Sequence, residues 1–164
     1  MDLYPWLVLL HIVGAFLFVV AHGASVWAAA QIRRETDSRR IAALLDLSSM
    51  SLTTAYVGLL LLLVGGIWAG IVGNWFGRLW IWAALVLLVA VAIGMYAIAT
   101  PHFAALRQAV GQRTMRWPKD APDPTPLPDA ELAALAARTP FGAIAGVGFG
   151  GLVVILWLMV VKPF

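Results

Sequence analysis

The chain contains no cysteine. Disulfides, cysteine-ligated iron–sulfur clusters, thiolate zinc sites and covalently attached c-type haem are therefore excluded. Charge is scarce: 12% of residues are Asp, Glu, Lys or Arg, against about 25% in a soluble domain. No H-E-x-x-H, phosphate-binding glycine loop or dinucleotide fingerprint occurs. No Lys, Arg or Glu falls inside a long apolar run to mark an ion path, and no internal repeat supports a transporter. Methionines are scattered, which gives no support to a methionine-rich copper relay. The net charge of +3 comes from basic residues in two loops, not from a stripe, so nucleic acid is not an expected partner. The opening "MDLYPW" lacks the basic n-region of a signal peptide, and the apolar run after it is too long for one. It reads as a retained first span.

What is there is hydrocarbon. Hydrophobic residues make up 62% of the chain, with a mean hydropathy of +0.91. Four runs reach the roughly 20 apolar residues that a bilayer core requires. They lie at about 4–30, within Ile41–Ile71 (most apolar from Leu52, taken as 47–71), at 79–100 and at 141–161. Lipid offers backbone amides no partner, so each run must be a helix. The expected fold is all-α: a four-helix transmembrane bundle in one domain, with loops at 31–40 and 101–140. Nine of the eleven Lys and Arg residues fall in those two loops, among them Arg33, Arg34, Arg39, Arg40, Arg107 and Arg116. By the positive-inside rule the loops are cytoplasmic and both termini face out, in a bacterial inner membrane. Six tryptophans, Trp6, Trp68, Trp75, Trp80, Trp82 and Trp157, cluster toward the opposite interface.

The 101–140 connection divides in two. "PHFAALRQAVGQR" continues the third helix past Pro101 and then lies at the membrane surface. "WPKDAPDPTPLP" is expected to be an extended, mobile, solvated tether. "DAELAALAAR" then forms a short helix with Asp129 as N-cap. The connection is either a simple linker or a docking segment for a partner.

Two of the three histidines, His11 and His22, lie inside the first run. At about 100° per residue they are separated by about 20° around the helix and about 16 Å along it. Gly14, Ala15, Phe18, Ser25 and Ala29 share their stripe, and small and polar residues mark the inward face of a membrane helix. Three readings are open. Each imidazole bonds a backbone carbonyl or hydroxyl of a neighbouring helix; one or both ligate haem b or copper; or they relay protons. The spacing prevents both from holding one metal. Asp46, Ser49 and Thr53 share a face of the second helix, with Tyr56 at its edge. Asp46 either pairs with a loop arginine or orients His22 from behind, with Thr53 and Tyr56 near the same ligand. By the span boundaries His102 lies outside the core and His22 inside, about 10 Å apart in depth, so the two can pair only if those boundaries are off by several residues.

The fourth run opens "FGAIAGVGFGG", in which Gly142, Gly146 and Gly150 form a G-xxx-G-xxx-G ridge. Such ridges let two helix backbones approach closely. The expected use is packing inside the bundle; a homodimer seam and room for a flat prosthetic group are the alternatives. Gly66 and Gly70 make a weaker ridge in helix two.

A histidine followed by Gly-Ala in "LLHIVGAFLF", a short arginine-rich loop and a glycine-rich end to helix two resemble known sequences. They are similar to the bacterial four-helix membrane proteins of unknown function near the copper-resistance D type. They are distantly similar to the HemJ-type protoporphyrinogen oxidase. The resemblance covers most of the four spans and implies that His11 is associated with haem or copper. It assigns no role to His22. The HemJ type also uses a lysine in a later helix, and no span here contains one, which counts against that activity. Two functions are therefore carried forward: a small bacterial inner-membrane protein binding haem b or copper through His11 and/or His22, and a non-catalytic accessory subunit of a larger membrane complex.

Overall fold

In the computed structural model, which describes residues 2–114 and 117–164, all regular structure is helical. Helix α1 spans Tyr4–Ile32, α2 Ser38–Val72, α3 Leu79–Ala109, α4 Asp129–Ala137 and α5 Phe141–Val161. Counting α4 together with α5, four stretches are long and apolar enough to cross a membrane. Arg116 lies outside the described residues.

Helix α1 pairs with α2, and α3 with α5. Glycine sets the first pairing. A methyl group placed on Gly14 would lie 2.7 Å from the Gly58 carbonyl oxygen and closer still to the Leu62 amide. One on Gly58 would lie 2.6 Å from the Phe18 nitrogen, and one on Gly65 2.6 Å from the His11 nitrogen. Ordinary contacts between such atoms need about 3.5–4.0 Å, so these backbones touch only because the side chains are absent. Further along, the Ser25 and Ser48 hydroxyls bond across the seam at 2.8 Å. In the second pair Gly151 admits Val91, and Gly94 faces Val147. The two pairs meet where Val26 and Ala29 of α1 pack on Ile144 of α5, flanked by Met95, Ile98 and Phe103 of α3.

Two boundaries depart from expectation, and one meets it. Helix α2 begins at Ser38, because the Asp37 carboxylate caps it, accepting from the Arg39 and Arg40 amides at 2.9 and 3.0 Å. Before it, Glu35 closes the turn, and the Asp37 and Thr36 amides hold its carboxyl below the usual carboxylate range. Helix α3 continues through Pro101, as expected, and ends at Ala109. In α4, Asp129 is the first helical residue and not the N-cap; Pro128 holds the cap position, with no side-chain bond.

At 35 residues α2 is about 52 Å long, well beyond the roughly 30 Å of hydrocarbon. The surplus builds a second core at the arginine-rich end. Ile32, Ile41, Leu45, Leu106 and Leu132 are fully buried there, with Ala109 and Ala136. The connection is thus not a free tether along its whole length: Leu132 and Ala136 anchor α4, and the Leu127 amide donates to the Ala109 carbonyl at 2.9 Å.

The two termini share the opposite end. Trp75 Nε1 donates to the Tyr4 hydroxyl at 3.3 Å, and the Lys162 ammonium sits 4.4 Å from the Trp75 ring centre.

Candidate functional site

The first-helix histidines do not face one common interior. His11 lies in the α1–α2 seam, where Gly66 leaves room for its ring. Its Nδ1 is 2.7 Å from the Leu62 carbonyl oxygen. A carbonyl cannot donate, so Nδ1 carries the proton. In neutral imidazole this leaves Nε2 as the nitrogen with the lone pair. The contact is the interhelical bond of the first reading. It is also the arrangement that presents a histidine to a metal, where the far N–H is usually anchored on a carbonyl or carboxylate.

His22 faces α5. Its ring lies parallel to Phe18 (6.2 Å between centres) and edge-on to Phe149 (5.0 Å). Its Nε2 abuts the backbone of Gly148, where even a methyl group would collide with the ring. That nitrogen is buried and has no hydrogen-bond partner among the described residues. Phe18 and Phe149 supply packing, not polarity.

Asp46 does not orient His22. It belongs to a cluster at the arginine-rich end, built around Arg107. The Arg107 guanidinium donates to Asp46 Oδ1 (3.2 Å), Gln112 Oε1 (2.6 Å), the Leu45 carbonyl (2.5 Å) and Ser49 Oγ (2.6 Å). Gln112 Nε2 closes the ring, 3.3 Å from Asp46 Oδ1. This ties α2 to the end of α3. Thr53 and Tyr56 point out of the bundle, with Tyr56 63% exposed, so neither lies beside either histidine's ring.

His102 is also held apart from His22. Its Nε2 is 3.0 Å from Thr139 Oγ1, and that hydroxyl donates its proton to the Ala136 carbonyl at 2.7 Å. The only consistent assignment makes His102 Nε2 the donor. His22 touches Gly148 while His102 touches Thr139, nine residues earlier, which puts them more than about 10 Å apart along the bundle. Thr139 is buried, and sequence reading had not singled it out.

The glycine ridge of α5 is the largest departure. Gly148 and Gly151 face the bundle, but methyl groups on Gly142, Gly146 and Gly150 would meet nothing within 4 Å among the described residues. The ridge points outward, and Phe149, Val153, Trp157 and Val160 extend the exposed face along the helix. In helix two the same correction applies in reverse: Gly58 and Gly65 carry the close approach, while Gly66 and Gly70 accommodate the rings of His11 and Phe76.

The fit of a metal or haem to these residues is partial. His22 offers an unclaimed buried nitrogen, and His11 offers a lone pair anchored from behind. Against this, the Gly148 backbone stands where a ligand of His22 Nε2 would sit. Among the described residues no three His, Asp or Glu side chains gather as a metal site. No family model, curated protein or solved structure matches the chain.

Proposed function

We propose that this chain is a non-catalytic accessory subunit of a bacterial inner-membrane complex, joined to a neighbouring transmembrane helix through the open face of α5. The observation that carries the reading is the ridge of Gly142, Gly146 and Gly150, which nothing among the described residues covers. Apolar surface alone would be no argument, since lipid covers it at no cost. A backbone laid bare on three successive turns is different: in this chain the other bare stretches, at Gly14, Gly58 and Gly65, each hold a partner helix.

The absence of cysteine makes the test clean. Ala143→Cys beside the ridge introduces the single thiol of the chain; labelled there with a photoactivatable maleimide that inserts into C–H bonds, it requires no thiol on the partner, and illumination in native membranes is expected to give a covalent adduct. An adduct of twice the monomer mass identifies a second copy, and a mixed adduct a different subunit. Gly146→Leu is expected to abolish either. A bare monomer in membranes and in mild detergent would overturn the reading.

A second reading keeps haem b or copper at His11 and/or His22, favoured by the unpartnered Nε2 of His22. When bound, such a group would supply redox chemistry, with an imidazole as ligand. Protein purified from haem- and copper-replete cells would then show a Soret band or bound copper. His22→Ala or His11→Ala would remove it, according to which one ligates. A colourless, copper-free preparation sinks this reading and leaves the first intact.

A further inference from the structure

At the arginine-rich end, a groove of about 600 Å³ opens between the last turns of α1 and the start of α5. Its walls are Trp27, Ala30, Gln31, Arg33, Arg34 and Phe141. The composition changes with depth. Trp27 lies about 9 Å below Arg33 along α1 and is 66% exposed, so the deep end is an indole open to lipid. The shallow end carries two arginines and a glutamine amide.

The acids nearby are already engaged. Glu35 pairs with Arg40 at 3.7 Å and accepts from two backbone amides, and Asp37 caps α2. Arg107 and Arg113 have Asp46 and Asp123. Among the described residues neither the Arg33 nor the Arg34 side chain has a hydrogen-bond or ion-pair partner, and both residues are exposed. Helix α5 starts at Phe141, so its positive N-terminal end adds to the field at this wall. An arginine that serves only the positive-inside bias needs nothing but water around it. Two unpartnered arginines on one groove, with an aromatic floor leading into hydrocarbon, form a surface that matches a molecule with an anionic head and an apolar tail.

From this arrangement we infer that the groove binds an anionic phospholipid, its phosphate held by Arg33 and Arg34 with Gln31, and its acyl chain lying along Trp27 and Phe141. Guanidinium groups suit phosphate because their paired N–H donors match two of its oxygens. Basic pockets between membrane helices bind anionic headgroups by this chemistry. A free phosphate would use the arginines but leave the aromatic floor idle.

The test uses the full-length chain in mild detergent, with bound lipid counted by native mass spectrometry. Phosphatidylglycerol is expected to bind one per chain and to persist at activation energies that strip phosphatidylcholine. Arg33→Gln and Arg34→Gln should each weaken phosphatidylglycerol binding on the order of fivefold, and together more than tenfold. Arg39→Gln, an exposed arginine off the groove, should not. The pair Arg33→Lys with Arg34→Lys keeps the charge and loses the fork; it should fall between, and it decides the matter if the glutamine pair does not fold. Equal retention of the two lipids, or unchanged binding in the double variant, would overturn the inference. So would competition by inorganic phosphate as effective as by the lipid, which would identify a soluble anion as the ligand.

Discussion

At the scale of single residues, two imidazoles on one helix have opposite environments. His11 makes a bond across the seam; His22 keeps a nitrogen buried and unbonded. Interhelical hydrogen bonds in membranes average about 0.6 kcal/mol and reach about 1.7, whereas a buried unsatisfied polar atom costs about 1–3 kcal/mol. The same substitution therefore has opposite signs. His11→Leu is expected to lower stability by about 0.5–1.5 kcal/mol. His22→Leu is expected to leave it unchanged or raise it. Denaturant unfolding in mixed micelles, followed by far-UV circular dichroism, measures both. A large loss on removing His22 would show that its nitrogen is satisfied in the working protein, by water or a ligand. The sequence showed that both histidines face inward, since helical periodicity places them on one stripe. It could not show which neighbour each meets, because about 20° of rotation and three turns separate an α2 contact from an α5 contact.

At the scale of elements, the four spans were readable because lipid demands long apolar helices. Their ends were less so, since α2 is prolonged by a single aspartate cap and by burial outside the bilayer. Glycine spacing announced close packing but not between whom. The most regular ridge, on α5, faces outward, while the seam that closes uses Gly14, Gly58 and Gly65, whose pattern on α1 is a lone glycine. The two classes should respond oppositely to one methyl group. Gly14→Ala drives a carbon into the α2 backbone and is expected to cost about 1–3 kcal/mol. Gly146→Ala meets open space and improves helix propensity by up to about 1 kcal/mol, so monomer stability should hold or rise. Thermal unfolding of the two variants in one detergent checks the pair.

At the scale of the whole molecule, two different forces hold the two regions. Within the bilayer lipid tails compete equally with apolar side chains, so cohesion comes from backbone approach and a few polar bonds. The side chains that are completely buried collect instead at the arginine-rich end, where water is the alternative. The sequence hid this core because its members come from four helices, and α4 offers only nine residues of alanine and leucine with two acids. Leu132→Ala is expected to cost about 2–5 kcal/mol, and to open residues 110–140 to protease in folded, membrane-inserted protein. Arg107→Ala should loosen the same end, and Arg107→Lys should not restore it, because one ammonium cannot serve four acceptors on α2 and the α3 end. Limited proteolysis with mass readout follows both.

That core also sets an order of events during synthesis. Helices α1 and α2 hold nearly all of their shared seam between themselves, so they can lock together while the rest of the chain is still being made. The water-side core needs Leu132 and Ala136, which are translated after α1, α2 and α3. Until then Ile32, Ile41, Leu45 and Leu106 stand uncovered at the membrane surface. A chain made only as far as α3 is therefore three spans with a sticky end, and α4 is the clasp that closes it.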